Sequence, residues 1–275
     1  MIELSRWRRA VAVSRLAIAQ VALLSLAPLL HGQTSQPLRL DALPDKTTAS
    51  LPDPGRFQDV DISWRKLPKR VLRDQKDIWL FPTQLARGHY WLPTFAVVGT
   101  TAGLIAADPH AVPYFRSHAG NLDDLNDVFD GNITNAAIAV APLSILIAGY
   151  IRHDCYAVTT ALLAGEAYAD GAIVDLALKG ITQRKRPSGI ESGSTFNDTF
   201  FRGGTSFPSG HATAAFSMAT IIAHRYRHNR WVPWVAYGVA VAISLSRVTT
   251  TAHFPSDVFL GAALGYTIAR FDVLR

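Results

Sequence analysis

Three runs without a charged side chain, at 88–107, 131–151 and 231–246, limit what this chain can fold into more than any other feature. A run of about 20 apolar residues is what an α-helix needs to cross the hydrocarbon core of a bilayer. The alternation that marks half-buried strands is missing from all three. Runs with shorter charge-free stretches, at 155–178, 212–223 and 258–269, bring the set to six helices. The expected fold is therefore all-α, a six-helix bundle over 88–275 that is membrane-embedded, with a soluble exported domain as the alternative. The run at 155–178 carries Glu166, Asp170 and Asp175. Acids inside a span are costly and usually face a bundle interior. Glu166 and Asp170 share a helix face and are expected to be buried structural groups.

The N-terminal segment has a different character. Arg6, Arg8, Arg9 and Arg15 precede an uncharged stretch at 16–30, so residues 1–32 are expected to be an export signal or an uncleaved anchor. Residues 33–87 are expected to be an exported linker, rich at first in Pro, Asp and Thr. Its aromatic segment 77–82 is suited to a membrane interface or to docking on the bundle. Topology brings a conflict. A cleaved leader followed by six full crossings would put Lys179 in the cytoplasm. The basic loop 224–230, at the opposite end of the bundle, prefers the cytoplasm itself.

The net charge of +6 suits anionic partners, phosphate esters or an anionic membrane surface. The basic residues form no single tract with interleaved aromatics, which argues against nucleic acid. The sole cysteine, Cys155, excludes an intrachain disulfide and is expected to be a buried thiol. The remaining histidines are scattered, and the acids of 155–178 have no histidine at ligand spacing, so no metal centre or cofactor is expected. Oligomeric state is not legible.

Candidate chemistry lies at the helix ends. Ser206-Phe207-Pro208-Ser209-Gly210-His211 reads as a loop turning into a helix. Unpaired N–H groups and the helix dipole make such a start an anion site. Upstream stand Lys179 and, after six residues, Arg186-Pro187. Downstream stand Ser246-Arg247, then His253 and Asp257. Taken singly, Lys179 would be the i,i+4 partner of Asp175, Arg247 a helix C-terminal cation and Asp257 a cap. Together, three cations suit a dianionic phosphoryl group, and two histidines suit nucleophilic and acid–base roles.

The order and spacing of these residues resemble the three-part signature of the phosphatidic acid phosphatase type 2 / vanadium haloperoxidase superfamily. The match covers Lys179, Arg186, Pro187, Pro208, Ser209, Gly210, His211, Ser246, Arg247, His253 and Asp257. The wording of the second and third motifs is closest to the membrane phosphatase branch. The resemblance implies that Lys179, Arg186, Arg247, the Ser209 hydroxyl and the Gly210 N–H hold the phosphoryl oxygens. It implies that His253 is the nucleophile and that His211 protonates the leaving oxygen. The expected place of Asp257 is as acceptor of the His253 Nδ1 proton.

The leading expectation is a metal-independent phosphatase acting on lipid phosphates or diphosphates through a phosphohistidine, in a bacterial inner membrane with its site facing the periplasm. A soluble periplasmic acid phosphatase, a vanadate-dependent haloperoxidase and a non-catalytic helical membrane protein are the alternatives. Phe196, Phe200 and Phe201, between the first two motifs, are expected either over the mouth of the site or packed on the bundle.

Overall fold

The computed structural model describes residues 62–118, 123–129, 131–191 and 194–275, so the export segment and most of the linker lie outside it. Among the described residues there are no strands. The helices are α1 (Leu67–Ala86), α2 (Trp91–Ser117), α3 (Asp123–Val128), α4 (Gly131–Ile151), α5 (Cys155–Thr182), α6 (Gly210–Arg225), α7 (Trp231–Thr249) and α8 (Pro255–Thr267). A π-helical turn, Ile268–Val273, extends α8. The six expected helices are α2 and α4 to α8.

Local chemistry sets the ends. Asp154 caps α5, its carboxylate accepting from the N–H groups of Tyr156 and Ala157 at 2.9 and 3.1 Å. Pro255 starts α8, where its missing N–H costs nothing. Helix α2 departs from expectation. The uncharged run ends at 107, but the helix continues through Pro109 and Pro113 to Ser117. Tertiary contacts hold the turns that proline weakens. Asp108 binds Arg184, and Arg116 donates to the Pro187 carbonyl at 2.6 Å.

The core is the seam of α5, α6 and the C-terminal turn, filled by Leu163, Ala167, Val174, Met218, Ile221 and Val273. Helix α8 closes on α6 through two glycines one turn apart. A Cβ on Gly261 would fall 2.5 Å from the Ser209 carbonyl oxygen, and one on Gly265 would fall 2.3 Å from that of Thr213. Only bare backbone permits this approach, the small-residue packing familiar between membrane helices. It brings the start of α8 against the start of α6.

Helices α2, α4 and α7 are long and apolar enough to cross a membrane, and only 17%, 22% and 39% of their most apolar windows are buried. Leu92, Phe95, Leu143, Ile147 and Trp234 are exposed. An apolar surface this extensive needs a non-aqueous neighbour, which a bilayer supplies.

Residues 67–86, expected to belong to the linker, form α1 instead. Arg70 Nε binds Glu166 at 2.8 Å, and Gln75 donates to Asp170 at 2.9 Å. Glu166 and Asp170 are fully buried, as expected. Their partners on α1 were not foreseen. Asp74 of α1 joins them, so that one oxygen from each of the three acids lies within 4.8 Å of the others. Just before α1, the Trp64 indole donates to Tyr150 at 3.1 Å. The chain therefore enters at the end of the bundle that carries the α4–α5 and α6–α7 turns. Cys155, at the first position of α5, is also at that end and is exposed rather than buried.

Candidate active site

The other end of the bundle gathers the C-terminal ends of α5 and α7, the N-terminal ends of α6 and α8, and the segments 183–209 and 250–254. All eight of the predicted site residues lie here. Lys179, Arg186, Gly210, His211 and His253 line one cavity of about 590 Å³. Arg247 is buried near His211, its guanidinium 3.2 Å from where a Cβ on Gly131 would stand. Ser209 is fully buried at the entry to α6.

Buried polar atoms almost always find a partner. Here Ser209 Oγ, His211 Nε2 and Asp175 Oδ1 have none among the described residues. His211 and Asp175 line the cavity, and Ser209 adjoins it through Gly210. A ligand rich in acceptors and carrying an exchangeable proton would satisfy such a set. Gly210 is tight as well: a Cβ there would fall 3.1 Å from both Asp175 Oδ2 and Lys179 Nζ. Glycine lets the α6 backbone close on the ion pair.

His253 is oriented by a backbone group. Its Nδ1 lies 2.8 Å from the Ser206 carbonyl oxygen. A carbonyl can only accept, so Nδ1 carries the proton and Nε2 keeps its lone pair. The expectation that Asp257 accepts this proton is corrected. Asp257 Oδ2 is 3.6 Å from Nδ1, beyond a hydrogen bond. The carboxylate is taken up elsewhere. Oδ2 accepts from Ser206 Oγ at 2.5 Å and from the Phe254 N–H at 2.9 Å, and Oδ1 accepts from Arg184 at 2.6 Å. Asp257 thus fixes the residue whose carbonyl holds His253.

Arg184 was not singled out as a site residue. Its guanidinium is 1% exposed and binds Asp257, Ser256, Thr199 and Asp108, with its carbon 3.8 Å from the centre of the Phe254 ring. It ties α2, the 183–206 segment and α8 together behind the catalytic histidine candidates. Of the three phenylalanines, Phe196 is buried against Phe254 and Val112, whereas Phe201 is 75% exposed.

Burial, with the charge of Arg247, pushes His211 down to about 4. It is therefore neutral at pH 7. A phosphoryl dianion among the cations would raise it again and make it a proton donor.

The cavity does not stop at the polar groups. It continues between α4 and α5, past Ile138 and Pro142 on one wall and Leu176, Tyr168 and Gly165 on the other. From Lys179 to Gly165 is about 20 Å along a helix axis.

Residues 155–273 match the model of the PAP2 superfamily. A lipid A 1-phosphatase of Porphyromonas gingivalis is 38% identical over 64 residues, 23% of this chain and 14% of that protein. A lipid A 1-phosphatase of Rhizobium etli is 37% identical over 94 residues, 32% of this chain and 38% of that protein. The chain thus spans 14% and 38% of the lengths of these two relatives. A solved structure, a transmembrane PAP2-type phosphatidylglycerolphosphate phosphatase from Bacillus subtilis, covers 71% of this chain and 92% of its own. Its identity is 21% and its TM-score 0.40.

Proposed function

We propose that the chain belongs to the PAP2 superfamily, whose model matches residues 155–273, and that it is a membrane phosphatase of lipid phosphates that works without a metal ion. The observation that carries this reading is the shape of the cavity. It joins Lys179, Arg186, His211 and His253 to an apolar groove between α4 and α5, two helices with exposed apolar faces. A phosphorylated headgroup matches the first part and an acyl or prenyl chain the second.

The chemistry follows from the side chains. Lys179, Arg186 and Arg247, with Ser209 Oγ and the Gly210 N–H, hold the phosphoryl oxygens and stabilise their charge as the group transfers. His253 Nε2 attacks phosphorus, and the bond to the leaving oxygen breaks. Protonated His211 delivers its proton to that oxygen. Neutral His211 then takes a proton from the water that opens the phosphohistidine, releasing inorganic phosphate. The Ser206 carbonyl holds the Nδ1 proton throughout, and Asp257 holds Ser206.

The orientation we propose puts this end outside the cytoplasm of a bacterial inner membrane. The opposite end carries Arg225, Arg227 and Arg230, and the chain enters there beside Arg65 and Lys66. This orientation and a cleaved leader followed by a periplasmic linker exclude each other. A soluble periplasmic acid phosphatase fits less well, because α2, α4 and α7 would expose their apolar faces to water.

The test is phosphate release by the purified full chain, in EDTA, from phosphatidate, prenyl diphosphate, a lipid A phosphate and p-nitrophenyl phosphate. Release from at least one lipid substrate, undiminished by chelation, is expected. A strict requirement for Mg²⁺, or turnover of the small ester alone, contradicts the reading.

A further inference from the structure

Asp175 is an anion inside an anion site. Its side chain is nearly buried and lines the same cavity as the two histidines. Oδ2 lies 2.5 Å from Lys179 Nζ, and Oδ1 has no partner among the described residues. The charged and titratable groups facing it are Lys179 on its own helix, Arg186 from the following segment, His253 from the α7–α8 connection and His211 from α6. The Gly210 backbone presses on the pair from α6.

Two opposite roles fit an acid in this position. It could orient Lys179 towards substrate. It could instead compete with substrate for Lys179. The geometry decides between them. A carboxylate serving only to orient the lysine would have its second oxygen satisfied by the protein. Here that oxygen is buried and has no partner among the described residues, on a side chain that lines the cavity, so its charge repels an anion that enters.

We propose that Asp175 is a built-in competitor for Lys179, a residue that limits how tightly the site retains phosphate. Its carboxylate neutralises the lysine until substrate arrives. An arriving phosphoryl group takes the ammonium over against the repulsion of Oδ1. When inorganic phosphate is left after turnover, the carboxylate recovers the lysine and assists its release. The site thereby holds a dianion among three cations without being trapped by its product. This inference rests on reading the cavity as a phosphoryl site.

The experiment measures binding of inorganic phosphate and of orthovanadate, and product inhibition by phosphate. It uses the full chain in detergent or nanodiscs, with Asp175→Asn, Asp175→Ser, Lys179→Met and the double variant Asp175→Asn/Lys179→Met. Thermal unfolding confirms that each is folded. Removing one negative charge a few ångströms from the anion should tighten phosphate by about tenfold or more in Asp175→Asn. KM for the phosphorylated substrate should fall with it. In the Lys179→Met background most of the gain should vanish. Asp175→Ser should show the same sign if the amide variant is poorly folded. Unchanged or weaker phosphate binding in a folded Asp175 variant overturns the proposal and leaves the acid as a positioning residue. A parent chain that binds neither phosphate nor vanadate overturns the phosphoryl reading itself, and this inference falls with it.

Discussion

At the scale of single residues, the most instructive is Asp257. Sequence spacing brought it beside His253, and it is beside His253. Its hydrogen bonds nevertheless go to Ser206, Phe254 and Arg184. The acceptor for Nδ1 is a backbone carbonyl, and every residue has one, so no sequence pattern could have marked Ser206. The effect expected of Asp257→Asn changes accordingly. The Nδ1 tautomer survives, because its partner is untouched. What is lost is one of the two carboxylates on a guanidinium that is almost fully buried. Leaving such a charge undercompensated costs about 3 kcal/mol. We expect a marked fall in unfolding temperature, with the folded remainder still able to form a phosphoenzyme. A variant of unchanged stability that forms no phosphoenzyme would return Asp257 to the direct role first expected of it. Arg184 escaped notice for a related reason. Its partners Asp108, Thr199 and Asp257 are scattered along the chain, and only the folded bundle brings them together.

At the scale of elements, the helices that end in motifs were legible and the others less so. α4 to α8 could be read because an apolar run stops where a cation, a proline or a glycine begins. α1 could not. Its sequence is charged and mixed, and it follows a stretch rich in Pro and Asp, so composition alone pointed to a linker. Its helix is stabilised by tertiary contacts, chiefly Arg70 on Glu166 and Gln75 on Asp170. Propensity is a weak prior against such contacts. Arg70→Ala would leave Glu166 buried without its ion-pair partner. A cost of about 3 kcal/mol and release of α1 are expected, the latter read as protease cleavage within 67–86 that the parent chain resists. Equal protease resistance in the variant would mean that apolar packing, such as that of Ile78, holds α1 in place. The extension of α2 past Pro109 was hidden for the same reason, since the contacts of Asp108 and Arg116 that hold it are long-range.

At the scale of the whole molecule, one end of the bundle holds the candidate site and the other holds the basic turns and the entering chain. Cys155 gives a direct reading of which end is which. It is the only cysteine, it is exposed, and it lies at the end opposite the site. A membrane-impermeant maleimide should leave it unlabelled in intact spheroplasts and label it in inverted vesicles. Labelling from outside would reverse the proposed orientation. One covalent bond, between phosphorus and His253 Nε2, is central to the proposed mechanism. The most direct measurement is to quench the purified protein during turnover of a ³²P-labelled lipid phosphate and to map the labelled residue. The parent chain should carry an acid-labile, alkali-stable phosphate on His253, His211→Ala should carry it when p-nitrophenyl phosphate, whose leaving group needs little protonation, is the donor, and His253→Ala, though folded, should carry none. Phosphate found on His211, or a folded His253→Ala with near-normal turnover, would contradict the account.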